Sequence, residues 1–229
     1  MKIFLDTADL AHIERWMRAG MVDGVTTNPT ILKKAGIGDV EEAAKAIARL
    51  IGDRPLSVEV TTNDPEEMVQ QAQIVAGWAR NIVVKIPIET PEGRPCFDVI
   101  FRLEREEDIR VNTTAILSFG QAVLAAKAGA SYISIFWGRI ADEGHDPFSV
   151  VSAVDAWLAR WECPSRIIVG SMRGALDLQR AAEAGGHILT IPPELLEKWA
   201  DHKYSRATVQ QFVQDAQAAG LIKRVERIR

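Results

Sequence analysis

The sequence predicts an α/β protein, a (β/α)8 TIM barrel with an additional C-terminal helix. Three observations carry that expectation. Short β-rich runs alternate with longer segments of helical period, about eight times along 229 residues. No linker or low-complexity tract breaks the alternation, and Glu89 to Gly93 is only a turn-sized interruption. Polar residues recur at the C-terminal ends of the putative strands, where such barrels build their sites. The expected organisation is one barrel domain over residues 1–229, with 201–229 as a helical extension. A doubly wound open sheet is the alternative, but it normally has fewer strands and a topological switch point.

The elements follow in order. Lys2 to Leu5 reads as the first strand, and Ala8 to Arg18 as a helix with Leu10, Ile13 and Trp16 at spacing three. Gly24 to Thr27 is the second strand, followed by an Ala-rich helix over Val40 to Ile51. Leu56 to Val60 is the third. Asp64-Pro65-Glu66-Glu67 then opens a helix, with Asp64 as cap, Pro65 at the first helical position and two acids facing the positive end of the dipole. Asn81 to Ile86 is nearly continuous β-branched chain, a strand buried on both faces. A helix over Cys96 to Glu106 leads to a strand at Ile109 to Thr113, then a helix over Ser118 to Ala128. Tyr132 to Phe136, Arg166 to Val169 and His187 to Ile191 complete the strands. Helices over Pro147 to Trp161, Gly174 to Ala184 and Pro193 to Trp199 alternate with them. A polar-rich helix at Ala207 to Ala219 and a basic end, Lys223 to Arg229, close the chain.

Composition narrows the class. Hydrophobic residues make up 47% and charged residues 25%, which excludes whole-chain disorder, collagen and coiled coil. The net charge of −4 gives no bias towards nucleic acid or an anionic membrane. No run approaches the ~20 apolar residues of a membrane span. Asp6 interrupts the N-terminal apolar run too early for a signal peptide, so a cytoplasmic protein is expected. Cys96 and Cys163 form no disulfide framework and read as inert thiols. His12, His145, His187 and His202 are scattered without ligand spacing, so no metal is expected.

Lys85 is the sharpest single signal. It sits inside Ile82-Val83-Val84-Lys85-Ile86-Pro87, where desolvation penalises an ammonium. One reading is a strand-end lysine that snorkels to solvent. The other is an amine neutral enough to attack a carbonyl and form a Schiff base. Glu59 is embedded in Leu56-Ser57-Val58-Glu59-Val60, and alternation places it with Ser57 on the inward face. It could move protons, directly or through a water held by Thr114, or simply pair with Lys85. Asp6, Asn28, Asn112, Ser134 and Phe136 also fall at strand ends. Arg139, Ser171 and Arg173, with free amides at the helix start that follows, would suit a phosphate; the alternatives are a solvated Arg139 and a helix-capping Ser171.

Phe4-Leu5-Asp6-Thr7-Ala8, Gly24 to Thr30 (with Thr26-Thr27-Asn28-Pro29 at its centre), Val84 to Pro87, Asn112-Thr113-Thr114, Ala128 to Tyr132, Gly138-Arg139-Ile140 and Gly170 to Arg173 together resemble the transaldolase family. The resemblance spans almost the whole chain, in order. The short length is similar to the compact subfamily that also contains fructose-6-phosphate aldolases. It implies a barrel with no metal and no organic cofactor, and Lys85 as the Schiff-base lysine. It implies that Asp6 assists proton transfer, and that Glu59 and Thr114 hold the catalytic water. Asn28, Asn112 and Ser134 would bind substrate hydroxyls or the intermediate; Arg139, Ser171 and Arg173 would hold the sugar phosphate. Pentamers or decamers, with the C-terminal helix reaching a neighbour, are implied as well.

Within that family, Glu59 and Phe136 resemble transaldolases, where the aldolases typically carry Gln and Tyr. Phe136 offers no proton to a dihydroxyacetone enamine, which favours transfer from fructose 6-phosphate to an aldose phosphate over release. The rival readings are an aldolase that frees dihydroxyacetone and a non-catalytic sugar-phosphate-binding barrel. Ile135, Trp137 and Arg94-Pro95-Cys96 depart from the family pattern near the expected site.

Overall fold

In a computed structural model, which describes residues 1–221, eight parallel strands close into a barrel in chain order. They are β1 (Lys2–Asp6), β2 (Gly24–Thr26), β3 (Leu56–Glu59), β4 (Ile82–Pro87), β5 (Val111–Ile116), β6 (Tyr132–Phe136), β7 (Arg166–Gly170) and β8 (Ile188–Ile191). β8 pairs with β1, setting Leu5 beside Ile191, so no sheet edge is left open. Around the strands run α1 (Leu10–Arg18), α2 (Pro29–Lys34), α3 (Val40–Ile51), α4 (Pro65–Ala76), α5 (Phe97–Phe101), α6 (Phe119–Ala128), α7 (Trp137–Asp142), α8 (Pro147–Arg160) and α9 (Ala175–Glu183).

The contacts divide the chain into two units, Met1–Pro193 and Glu194–Arg229. The first holds the barrel. Beyond it lie α10 (Pro193–Ala200) and α11 (Lys203–Ala218). The basic end, Lys223 to Arg229, lies outside the described residues. No helix among the described residues is long and apolar enough to cross a membrane.

Local chemistry sets the boundaries. Asp9, Asp39, Asp64, Ser118 and Asp146 each accept backbone N–H groups at a helix start. Asp9 takes the cap of α1, so that helix begins at Leu10 rather than Ala8. His202 caps α11 by accepting from Tyr204 N, which moves its start four residues ahead of the expected Ala207. α2 and α7 were not expected, since each is six residues long and too short to show a period. β5 starts at Val111, two residues later than expected. The chain before it turns through a wide π-type helix at Arg102–Glu106 and a left-handed Asp108, and Glu104 then accepts from Val111 N at 2.7 Å.

Alternation along the strands builds the barrel interior in layers. At its N-terminal end Phe4, Ile168 and Ile188 are buried, with Tyr132 packed against them. Gly24 makes this possible, because a Cβ there would sit 2.6 Å from the Phe4 ring. Above this apolar floor lies a polar layer. Asn112 Nδ2 donates to Ser57 Oγ at 3.0 Å, and Ser134 Oγ donates to Asn112 Oδ1 at 2.8 Å. Ser134 reaches up from this layer to the mouth, which the next inward positions form.

Candidate active site

A cavity of about 520 Å³ opens at the C-terminal ends of the strands. Asp6, Thr26, Glu59, Lys85, Thr114, Phe136, Gly170 and Thr190, one from each strand, line it. Register explains the grouping. Glu59 stands opposite Lys85, Lys85 opposite Asn112, and Asp6 opposite Thr26.

Lys85 does not snorkel. Its side chain is 6% exposed, and its ammonium lies 2.8 Å from Glu59 Oε2 and 3.2 Å from the Thr27 carbonyl oxygen. Glu59 is thus paired with Lys85, as one of its sequence readings expected, and it also faces the cavity. Thr26 Oγ1 donates to Asp6 Oδ1 at 2.7 Å and is in short hydrogen-bond contact with Thr190 Oγ1. Thr26 has one hydroxyl proton. With that proton on Asp6, Thr190 is the donor to Thr26, giving a directed chain. Burial pushes the Asp6 carboxyl above its ordinary range, against the opposing pull of the Thr26 hydrogen bond and the Lys85 charge. Thr114 Oγ1 is buried on the same wall and has no hydrogen-bond partner among the described residues.

The outer part of the mouth is cationic. Arg139, Ser171 and Asn28 line it, and so does Lys34. Sequence reading missed Lys34, because it arrives on the unexpected α2. The available signal was Asn28-Pro29, a cap followed by a proline at the first helical position. Asn28 Oδ1 accepts from Ile31 N at 2.9 Å, so the residue caps α2 as well as facing the cavity. Thr26 and Thr190 were also missed, although both hold the same alternation phase as Gly24 and Ile188.

Two of the expected residues do not reach the cavity wall. Asn112 lies one layer below, fully buried between Ser57 and Ser134. Arg173 is exposed, pairs with Asp142 at 2.6 Å, and is not part of the lining. The helix-start amides of Arg173 and Gly174 are not free either: both donate to Asp177 Oδ2 at 2.9 Å. Asp177 Oδ1 accepts from Trp137 Nε1 at 3.2 Å. Gly138 N donates to the Ser171 carbonyl at 3.0 Å, with Ser171 held at a left-handed φ of 58°. Trp137 thus ties the loop after β7 to the start of α7. Ile135 is fully buried and sits on the strand face opposite Ser134 and Phe136, away from the cavity. Cys96 is buried at the start of α5, and burial pushes its thiol up to about 11.

Comparison with known proteins places the chain in a family. A family model described as transaldolase/fructose-6-phosphate aldolase matches residues 3–228. A protein named probable transaldolase from Dehalococcoides mccartyi is 37% identical over 94% of this chain and 97% of its own. Probable transaldolase 2 of Listeria monocytogenes is 41% identical over 95% and 97%. Among solved structures, a provisionally named phosphonomutase from Burkholderia cenocepacia J2315 superposes with a TM-score of 0.60 at 15% identity, over 93% of this chain and 94% of that one. That likeness concerns the barrel fold alone.

Proposed function

The chain belongs to the transaldolase/fructose-6-phosphate aldolase family, and on that premise we propose that it is a transaldolase working through a Schiff base on Lys85. The observation that carries this reading is the Lys85–Glu59 pair at 2.8 Å on the cavity wall, with Asp6 on the same wall. The Lys85 amine adds to the carbonyl of a ketose phosphate, with fructose 6-phosphate as the proposed donor. Glu59 takes the ammonium proton and returns it as the carbinolamine loses water. The unpartnered Thr114 hydroxyl on the same wall supports a role in holding that water.

Asp6 then accepts the proton of the C4 hydroxyl while the C3–C4 bond breaks. The bonding electrons pass into the iminium and leave an enamine. Burial makes Asp6 a stronger base than an ordinary aspartate, which suits this step. An aldose phosphate departs, an acceptor aldose phosphate takes its place, and the same steps run in reverse. Phe136 presents no hydroxyl to the cavity, so it cannot protonate the enamine and free dihydroxyacetone. Arg139, Lys34 and Ser171 at the mouth suit the phosphate.

Borohydride reduction in the presence of fructose 6-phosphate is expected to fix a three-carbon unit on Lys85. Normal turnover by Lys85→Met would overturn the mechanism. Erythrose 4-phosphate separates transfer from cleavage: consumption of fructose 6-phosphate should require it. Release of dihydroxyacetone without an acceptor would mark an aldolase instead.

A further inference from the structure

A second cavity, of about 360 Å³, lies at the opposite end of the barrel, where β5, β6 and β7 begin. Its walls carry three guanidiniums, those of Arg105, Arg110 and Arg166. None of the three makes a hydrogen bond or ion pair among the described residues. Other arginines behave differently: Arg18, Arg80, Arg102 and Arg173 each hold a carboxylate.

The only carboxylate on this wall among the described residues is Glu104, and its oxygens are already occupied. They accept from Val111 N at 2.7 Å, Ser131 N at 2.6 Å and Ser131 Oγ at 3.2 Å. Burial also pushes the Glu104 carboxyl above its ordinary range, which weakens it as a counter-charge. Three cations against at most one anion leave a net charge of at least +2 around this cavity, in a chain of net charge −4.

The guanidiniums are placed by backbone. Arg105 lies across Gly129, whose φ of 108° requires glycine and where a Cβ would come within 2.9 Å of Arg105 Nε. Arg110 and Arg166 immediately precede or begin β5 and β7, on either side of Tyr132 at the start of β6. Both guanidiniums act electrostatically on the half-buried Tyr132 phenol, which faces the cavity and makes no hydrogen bond among the described residues. The volume falls at the lower end of the ~300–1,000 Å³ range of small-ligand sites.

We propose that this cavity is a second binding site, separate from the barrel mouth, for a small compound carrying two or more linked phosphate groups. A guanidinium offers two parallel donors to a phosphate, and three around one space suit a ligand that presents several phosphate edges. The Tyr132 hydroxyl supplies a further donor. The two cavities share no lining residue, and the buried cluster of Phe4, Ile168 and Ile188 packs against Tyr132 inside the barrel.

The test is calorimetric titration of the full chain with inorganic diphosphate, with orthophosphate as comparator. Diphosphate is expected to bind at least about tenfold more tightly than orthophosphate, because more guanidiniums are engaged at once. Arg139→Gln, which alters only the mouth, should retain this binding. Arg105→Gln, Arg110→Gln and Arg166→Gln, made separately, should each weaken it about tenfold. All three side chains are exposed and unpaired, so the singly substituted chains are expected to fold, with circular dichroism as the check. Loss of all diphosphate binding in Arg139→Gln, unchanged binding in all three cavity variants, or equal affinity for the two anions would each overturn the site.

Discussion

Trp137 Nε1 donates to Asp177 Oδ1, while the other oxygen of Asp177 receives the amides of Arg173 and Gly174. One indole thereby sets the loop that presents Ser171 to the mouth. Trp137→Phe keeps an aromatic side chain, smaller than the buried indole, and removes the donor. The expected result is a stability loss of at least about 1.5–3 kcal/mol, the value of a hydrogen bond to a charged group, with lost packing of the buried ring added to it, together with a raised KM for phosphorylated donor and a nearly unchanged kcat. Thermal unfolding and steady-state kinetics measure both, and an unchanged KM would release Trp137 from any part in phosphate binding.

Gly138 tolerates no side chain. A Cβ there would collide with the Ser171 carbonyl and press on the Arg173 side chain. Gly138→Ala is therefore expected to cost about 1–3 kcal/mol by overpacking and to weaken binding of the sugar phosphate. Denaturant unfolding reads the first effect and donor KM the second.

Glu59→Gln preserves the shape of the partner of Lys85 but not its basicity. Turnover should fall by about 10²–10⁴-fold, the usual worth of a positioned acid–base group. Lys85 should still be trapped by borohydride, though more slowly. A kcat near the parent value would show that Glu59 carries no proton in the reaction.

Asp6 yields a pH prediction. Its folded pKa is raised above the unfolded value of 3.8, so the folded chain holds that proton more tightly than the unfolded one. The contribution of Asp6 to stability is thus fully present below pH 3.8 and is lost as pH rises through the folded pKa. Asp6→Asn removes this loss. It should unfold at a higher temperature than the parent at pH 8, with the difference shrinking as the pH is lowered towards 4, while transfer activity drops. A variant less stable than the parent at pH 8 would contradict the burial argument.

Phe136→Tyr adds a hydroxyl to the wall of the mouth. Acceptor-independent release of dihydroxyacetone should rise by about 10²-fold, in keeping with general-acid help. An enzymatic assay for free dihydroxyacetone decides it.

Much of this architecture is legible in the residues. The Val40 to Ile51 helix and the Tyr132 to Phe136 strand fall where their periods place them, because each is long enough, or β-branched enough, for its pattern to show. Ser57 and Glu59 share the inward face as alternation requires. What the pattern could not reveal depends on side chains meeting across the fold. Arg173 sits two residues after Ser171, yet Asp142, 31 residues away in the chain, decides where it points. Thr190 has no local feature to mark it, and only closure of β8 against β1 brings it to Thr26 and Asp6. Lys34 depends on a helix too short to have a period, and the start of β5 on a carboxylate seven residues upstream.

Phe4, Ile168 and Ile188 are at most 3% exposed and seal the barrel beneath Lys85. The mouth is therefore a chamber with one door. The aldose released by the first half of the proposed transfer must vacate through the opening that its successor uses, so the two sugars queue and never meet. Initial-rate plots at several acceptor concentrations should run parallel, and excess acceptor should obstruct the donor by occupying the empty chamber first.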